Sequence, residues 1–162
     1  MSHYAVLYGK LQRQLEELDL EYQYTLEQAQ LAQQSDIDAY WIAAGFGLQG
    51  FYTGVEKMFE QIARTIDQSL MKQSDRWHQE LLDQMQVAVP GIRPPVINQT
   101  LREQLKQYLS FRHVVRNNYT HRLDPSLIAE TLTSLPECYT NLQQAIDQFC
   151  QFLVSDSGER FP

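Results

Sequence analysis

Residues 111–124, FRHVVRNNYTHRLD, concentrate the side chains of this sequence that could do chemistry. Guanidinium groups bind phosphate through paired planar donors. An imidazole can take up or release a proton near neutral pH. Such a density of arginine, histidine, asparagine and tyrosine at the end of a helix is unlike a hydrophobic core. The segment therefore predicts a site for a phosphate-bearing ligand.

Helical geometry decides which of these side chains lie together. At 100° per residue, Arg116, His113 and Asn117 share an arc of about 100°, and Arg112 extends that arc. On an ideal helix His121 is rotated by about 140° from Arg116, so the two side chains do not converge. Either the helix loosens near Asn117, or the partner histidine comes from another subunit.

Signatures of other enzyme classes are missing from the sequence. It has no HExxH, no cysteine and histidine metal spacing, no P-loop and no paired-carboxylate site, so we expect neither a metal ion nor a cofactor. Residues 45–50, GFGLQG, match the dinucleotide-binding fingerprint, but no strand pattern precedes them. Gly47, Gly50 and Gly54 instead share one helical face. Each glycine lowers the stability of the helix by about 1 kcal/mol relative to alanine. Close packing against another helix, within the chain or across a dimer, must compensate this loss.

Apolar spacing predicts five helices. The first spans about 28 residues and places apolar side chains at every third or fourth position. Ser35 and Asp36 supply the N-cap of a second helix, which runs to about Asp67 and is apolar on most sides. That helix should be the central and most buried one. Ser74 and Asp75 cap a third helix.

A loop separates these helices from the last two. Three prolines and a glycine in residues 89–95 exclude a continuous helix. Asn98 or Thr100 begins the fourth helix. Asp124 and the proline after it stop the fourth helix and begin the fifth, which Pro136 should kink or split.

The fold class that follows is all-α, an up-and-down helical bundle of four to five helices, because no strand pattern and no internal repeat is visible. The length fits one domain with its own core. We assign residues 1–154 to that domain and residues 155–162, which are polar and without periodicity, to a flexible C-terminal tail.

Localisation follows from segments that the sequence lacks. No window approaches the roughly 18 to 20 apolar residues of a membrane span, and the first residues do not have the pattern of a secretory signal. We therefore expect a cytoplasmic protein that does not bind membranes. Cys138 and Cys150 are interpreted as small core residues in a reducing compartment.

The charge of the chain is unevenly distributed. The net charge is −7, but residues 71–122 carry a local balance of +4 and three of the four histidines, which leaves −11 for the remainder. We therefore expect an anionic ligand to bind at residues 71–122, the basic middle of the chain. The alternative is a solvated charge distribution without a ligand.

Residues 116–121, RNNYTH, have the form Arg-Asn, three residues, His, and so resemble the Arg-x(4 to 6)-His motif of HEPN ribonucleases such as HepT toxins. Further stretches are similar to a HepT-like subfamily over most of residues 40–130. These stretches are 50–56 (GFYTGVE), 77–82 (WHQELL), 93–95 (RPP), 111–116 (FRHVVR) and 123–124 (LD).

The resemblance implies a HEPN-like bundle and a function. Similar proteins dimerise, are often encoded beside a small nucleotidyltransferase antitoxin, and cleave RNA without metal, with the motifs of two subunits facing one cleft. The leading hypothesis is therefore a metal-independent endoribonuclease toxin of a HEPN/nucleotidyltransferase pair, which leaves a 2′,3′-cyclic phosphate. One alternative is a noncatalytic HEPN subunit that binds substrate for a partner nucleotidyltransferase. A third is a helical scaffold whose glycine-rich helix serves dimer packing.

On the leading hypothesis, each candidate residue has a role. The catalytic candidates are Arg116, His121, Asn117 and His113, and the substrate-binding candidates are Arg112, Tyr119, Arg93 and His78. HepT toxins usually continue His-x-Tyr, and that tyrosine is nucleotidylated by the antitoxin. Here Arg122 and Leu123 follow His121, so Tyr119 supplies the nearest hydroxyl as a modification site. His113 is the alternative to His121 as general acid and base.

A structural interpretation competes with these roles. Arg112 and Arg116 would pair with buried carboxylates such as Glu56, while the histidines cap the helix, and His78 and Arg93 would anchor local structure. We predict that Glu56 pairs with a motif arginine, because a lone carboxylate on an apolar helix is costly unless it is paired. We also predict a homodimer, from the glycine face and from the separation of the motif arginine and histidine.

Overall fold

The structure, a computed structural model, describes residues 3–69 and 74–160. Its helices are α1 (His3–Gln34), α2 (Asp38–Thr65), α3 (Trp77–Gln86), α4 (Gln99–Asn117), α5 (Pro125–Leu132) and α6 (Leu135–Arg160), with a 3-10 turn at Thr120–Arg122. In the described part of the chain, β pairing is limited to one isolated bridge between Val89 and Arg93. The predicted all-α fold is confirmed.

Two helix starts lie where capping chemistry predicts them. The Asn98 side chain accepts a hydrogen bond from the backbone N–H of Leu101 at 2.8 Å and begins α4. The Asp124 carboxylate accepts one from the backbone N–H of Ser126 at 2.9 Å and begins α5, with Pro125 in its first turn. Both capping residues have an extended backbone, and that of Asp124 sets the direction in which the chain leaves residues 111–124.

The other two predicted caps are wrong. The Ser35 hydroxyl donates to the carbonyl of Leu31 at 2.8 Å, back into α1, and α2 begins only at Asp38. The Ser74 hydroxyl accepts from the backbone N–H of Arg76 at 3.0 Å, which closes a turn before α3 begins at Trp77. In both cases the serine satisfies a nearer backbone group than the helix start.

Pro136 splits the fifth predicted helix into α5 and α6, as one of the two expected outcomes. The break falls at residues 133–134, so that the proline lies in the first turn of α6, where its missing N–H leaves no helical bond unmade. α6 then continues to Arg160, past the predicted domain boundary at residue 154, since no proline follows before Pro162. The last two residues of the predicted tail lie outside the described residues.

α2 is the central helix, as predicted. It packs against α1, α3, α4 and α5, and Phe51, Val55, Met58 and Ile62 along it have no exposed surface. Because α2 is surrounded in this way, side chains from neighbouring helices can pack around one of its own side chains. No helix in the described ranges, 3–69 and 74–160, is long and apolar enough to cross a membrane.

The glycine face of α2 accommodates α1. A methyl group added to these glycines would collide with α1 side chains, those of Thr25 at Gly47, Glu21 at Gly50 and Leu18 at Gly54. The close packing that the glycines require is therefore within the chain. This face gives no support to the predicted homodimer.

Candidate functional site

α4 directs Arg112 into the interior of the bundle. The residue is 4% exposed, and its Nη1 and Nη2 donate to Oε1 and Oε2 of Glu56 on α2 at 3.1 and 3.2 Å. This two-bond geometry compensates both buried charges. The predicted pairing of Glu56 with a motif arginine is confirmed. The expectation that Arg112 is displayed beside Arg116 to bind substrate is corrected, because α4 packs on α2 at this turn.

His78 of α3 joins the same buried pair. Its Nδ1 lies 2.7 Å from Oε2 of Glu56 and 2.8 Å from Nη2 of Arg112. A carboxylate only accepts and a guanidinium only donates, so Nδ1 hydrogen-bonds to one of them at a time, according to whether it carries a proton. The ring also contacts that of Trp77, with centroids 3.7 Å apart and the two planes tilted by 31°. The contacts favour anchoring of α3 for His78 over the predicted contact with substrate.

Tyr52 completes the surroundings of the buried arginine. Its ring centroid lies 5.0 Å from Cζ of Arg112, within reach of a cation–π interaction. Burial, and then the negative charge of Glu56, raise the pKa of Tyr52, so its phenol stays protonated. Glu56, His78, Arg112 and Tyr52 therefore form a structural cluster that fixes α4 against α2 and α3; we call it the buried cluster.

Arg93 also serves an internal role. Its side chain donates to Asp67 at 2.6 and 2.8 Å, and to the carbonyls of Val87 at 2.9 Å, Pro94 at 3.0 Å and Gln84 at 3.2 Å. These five bonds use all five N–H groups of the guanidinium, and the side chain is fully buried. The predicted role of Arg93 in substrate binding is corrected, because no donor is left for a ligand.

One turn after Arg112, α4 displays its side chains to solvent. Arg116 is exposed, and no described residue pairs with its guanidinium. Asn117 donates through Nδ2 to the carbonyl of His113 at 2.8 Å, and the same nitrogen lies 3.2 Å from Nδ1 of His113. With Nδ1 accepting from Asn117, the proton of the neutral ring is on Nε2. Asn117 thus holds the ring of His113.

The helix ends at Asn117, where the sequence allows it to loosen. Asn118 has an extended backbone, with φ −125° and ψ 151°, and its side chain donates to the carbonyl of Val114 at 2.8 Å. The chain then turns through a 3-10 segment that contains His121, whose ring stacks on Tyr119 at 5.8 Å between centroids. The backbone therefore changes direction after Asn117, which is one of the two alternatives for the motif, while a histidine from a second subunit stays a prediction.

An open depression lies at this helix end. It is lined by Arg116, Asn117, Asn118, Tyr119 and Arg122. Tyr119 is 72% exposed, and Cζ of Arg122 lies 6.0 Å from its ring centroid. Neither histidine is among the lining residues, but each adjoins one of them, His113 through the amide of Asn117 and His121 through the ring of Tyr119. The depression offers two cations for phosphate, an aromatic face for a base and two neighbouring imidazoles.

Two lining residues, Asn118 and Arg122, are not among the predicted site residues. Both lie in the segment 111–124 and have the side-chain types that mark this segment as a candidate site. The sequence therefore contains the information needed to include them. The sequence leaves open whether the helix loosens near Asn117; because α4 ends there, both side chains line the depression. Across residues 3–69 and 74–160, no group of three or more His, Cys, Asp or Glu side chains is arranged to hold a metal ion.

Comparison with known proteins gives one match. A family model described as HepT-like protein matches residues 43–153. No curated protein and no solved structure matches the chain. The matched range includes every residue of the depression and of the buried cluster, and it leaves α1 outside.

Proposed function

This chain belongs to the HepT-like protein family, a family of HEPN-type toxins, and we propose that it is a metal-independent endoribonuclease, the toxin of a toxin–antitoxin pair. The observation that supports this most strongly is the exposed guanidinium of Arg116, without a partner among the described residues, in a depression shared with Arg122 and Tyr119. Arg112, one turn earlier on α4, is bound to Glu56, which leaves Arg116 as the motif arginine of α4 that is available to a phosphate.

The proposed reaction is attack by the RNA on its own phosphodiester. The 2′-hydroxyl oxygen bonds to phosphorus while its proton passes to an imidazole, and the bond from phosphorus to the 5′ oxygen breaks. A second proton donor protonates that leaving oxygen, so the products are a 2′,3′-cyclic phosphate and a 5′-hydroxyl. Arg116 neutralises the charge that develops on the phosphoryl oxygens. No step requires a metal ion or an oxidant.

His113 and His121 are the two proton-transfer groups in this proposal. His113 is held by Asn117, which fixes which ring nitrogen carries the proton, and this suits a residue with a defined direction of transfer. Among the described residues, His121 is held by its stack on Tyr119. Loss of one proton-transfer group typically lowers the rate by about 10² to 10⁴, so the two alanine variants test whether each histidine takes part in the reaction.

A noncatalytic substrate-binding subunit is the second candidate. The observation that favours it is that no histidine lines the depression itself. Such a subunit would bind RNA through Arg116 and Tyr119 and leave it intact. The two candidates share the binding residues and differ in the product, which makes one experiment sufficient to separate them.

We further propose that the toxin acts as a homodimer whose motifs face one cleft. The open depression lacks a histidine of its own, and a second copy could bring one. Mixing the Arg116→Ala chain with the His121→Ala chain tests this, because a mixed dimer would contain one intact set of groups. Activity recovered on mixing supports the composite cleft, whereas two inactive chains that stay inactive when mixed contradict it.

The proposed partner is a nucleotidyltransferase antitoxin that modifies Tyr119. This tyrosine has the exposure that an incoming nucleotide requires, and it lies in the depression that modification would block. Co-expression with a nucleotidyltransferase encoded beside this gene should add nucleotide mass to the wild-type chain and not to Tyr119→Phe. Unchanged mass addition in that variant would move the site elsewhere.

Cleavage of a labelled single-stranded RNA is the decisive experiment. The wild-type chain should cut it in excess EDTA and leave a 2′,3′-cyclic phosphate, and Arg116→Ala should lower the rate by about 10² or more without a change in melting temperature. Arg64→Ala is the matched control, since Arg64 is a 74% exposed arginine far along α2. Cleavage of a substrate with a 2′-deoxy nucleotide at the cut site, or full activity of Arg116→Ala, overturns the ribonuclease. Binding without cleavage leaves the substrate-binding subunit.

A further inference from the structure

The outer face of α1 carries apolar side chains that the described chain does not cover. The inner face of α1 is buried at Leu7, Leu11, Leu18, Thr25, Ala29 and Ala32. About 130° away around the helix, four large apolar residues are exposed: Val6 at 61%, Leu20 at 65%, Tyr24 at 46% and Leu31 at 40%. A helix that needs only one apolar face to join the bundle therefore has two.

The spacing of these residues is that of a helix seam. Val6 and Leu20 are two heptads apart, Leu20 and Tyr24 one turn apart, and Tyr24 and Leu31 one heptad apart. Apolar residues at such intervals form a straight stripe along a long helix and meet the same stripe on another helix. α1 has 32 residues, enough for such a pairing over several turns.

The stripe is self-complementary about Leu20. In an antiparallel pair with a twofold axis at Leu20, each residue faces the one that lies equally far on the other side of position 20. The resulting contacts are Leu20 with Leu20, Arg13 with Glu27, Glu16 with Tyr24, and Gly9 with Leu31. All these positions are exposed. The pairing thus joins opposite charges and gives the Tyr24 hydroxyl a carboxylate acceptor.

The same residues disfavour the parallel arrangement. Two parallel copies in register would place Arg13 against Arg13 and Glu27 against Glu27, and like charges across a helical seam destabilise it. The antiparallel arrangement turns both repulsions into two equivalent ion pairs. Charge therefore selects both the occupant, a second copy of this chain, and its direction.

Gly9 supplies an independent observation. A glycine within a helix costs about 1 kcal/mol relative to alanine, and the glycines of α2 are explained by the side chains that approach them. Around Gly9, a Cβ atom would meet nothing within 4 Å. In the antiparallel pair this position faces Leu31, a bulky side chain that a bare backbone can accommodate.

We infer that two copies of this chain pair through the outer faces of their α1 helices, antiparallel, with Leu20 on the twofold axis. This inference does not rest on the proposed function, because the pairing surface shares no residue with the depression. It concerns a helix outside the family match at residues 43–153. If the motif clefts also pair, the two interfaces together give a tetramer.

Disulfide trapping tests the geometry directly. A Leu20→Cys variant should form a covalent dimer under mild oxidation, because its two copies meet on the axis. Arg13→Cys alone and Glu27→Cys alone should form no cross-link, since a residue seven positions from the axis lies about 21 Å from the same residue of the partner copy. A mixture of the two variants should cross-link, because position 13 of one copy faces position 27 of the other. Cys138 and Cys150 are buried and do not interfere. Self-cross-linking of all three variants would show a parallel pair and overturn the inference.

Sedimentation tests the energetics in the same chain. Leu20→Glu should halve the mass of the assembly, and Arg13→Glu should weaken association by about tenfold or more. The double variant Arg13→Glu with Glu27→Arg should restore association, because the pair of charges is only exchanged. Arg64→Glu, on another exposed surface, is the control. The inference is overturned if Leu20→Glu leaves the mass of the assembly unchanged, or if the wild-type chain stays monomeric at every concentration. Circular dichroism measures the helical content of each variant and confirms that it is folded.

Discussion

Arg112 and Arg116 lie one helical turn apart on α4 and have opposite environments. Arg112 is 4% exposed and bound to Glu56, whereas Arg116 is exposed without a described partner. Moving a guanidinium out of water has an effective penalty of several kcal/mol unless a counter-charge accompanies it, so Arg112 is tied to α2. Because the two residues share a rigid helix, the buried arginine determines where the exposed one is presented.

Removal of the counter-charge should therefore destabilise the fold. Glu56→Gln keeps the shape of the side chain but leaves the Arg112 guanidinium buried without compensation. We expect a loss of about 3 to 5 kcal/mol in the free energy of unfolding, measured in urea. Glu103→Gln, an exposed carboxylate on α4, is the control and should change it by less than about 0.5 kcal/mol. Equal stability of the two variants would show that Glu56 does not compensate Arg112.

The reactivity of the two cysteines tests whether the interior of the bundle is closed to solvent. Burial raises the pKa of the Cys138 thiol to about 12, and burial also raises the pKa of Cys150. The thiolate is the reactive form, so neither cysteine should react with an aromatic disulfide reagent at pH 8 in the folded protein. Both should react at once in urea. Rapid reaction of the native protein would contradict the burial of these residues.

At the scale of helices, apolar periodicity predicts each element and local hydrogen bonds decide its ends. The amides and carboxylates at Asn98 and Asp124 were recognisable as caps because a helix pattern begins directly after them. The serines at positions 35 and 74 have the same preference but bond to nearer backbone groups. The sequence shows which backbone groups a serine hydroxyl could bond to but not which of these bonds forms. The start of a helix is therefore predicted less accurately than the helix itself.

Alanine substitution should separate the true cap from the false one. Asn98→Ala removes the acceptor for the N–H of Leu101 at the start of α4 and should lower stability by about 1 kcal/mol. Ser35→Ala removes a bond to the last turn of α1 and should stay within about 0.5 kcal/mol of wild type. Thermal unfolding of both variants measures this. A larger loss for Ser35→Ala than for Asn98→Ala would reverse the assignment.

Across the whole molecule, the sequence predicts the fold better than it predicts the site. The all-α class, the central α2, the proline loop and the pairing of Glu56 all follow from patterning and from the cost of buried charge. The contacts of Arg93 with Asp67 and of His78 with Arg112 join residues 26 and 34 positions apart. Tertiary contacts of that range leave no local pattern, so the sequence alone does not distinguish these two residues from substrate-binding ones.

The basic middle of the chain is less basic than its composition indicates. Arg93, Arg102 and Arg112 are each held by a carboxylate, and two of those carboxylates, Asp67 and Glu56, lie outside residues 71–122. The positive charge available to RNA at the depression is reduced to Arg116 and Arg122. A chain with a net charge of −7 and two free cations at its site should bind RNA by local contacts rather than by a broad field.

The salt dependence of RNA binding tests this directly. Each phosphate contact to single-stranded nucleic acid contributes about −0.7 to the slope of log K against log salt concentration. Two contacts therefore predict a slope of about −1.4, and Arg116→Ala should reduce it to about −0.7. Arg102→Ala, which removes an arginine already paired with Asp83 at 2.7 Å, should leave the slope unchanged. Fluorescence anisotropy of a labelled RNA across a salt series measures all three values. A wild-type slope several times steeper would mean that the paired arginines also contact RNA, and the depression would then be only part of a larger binding surface.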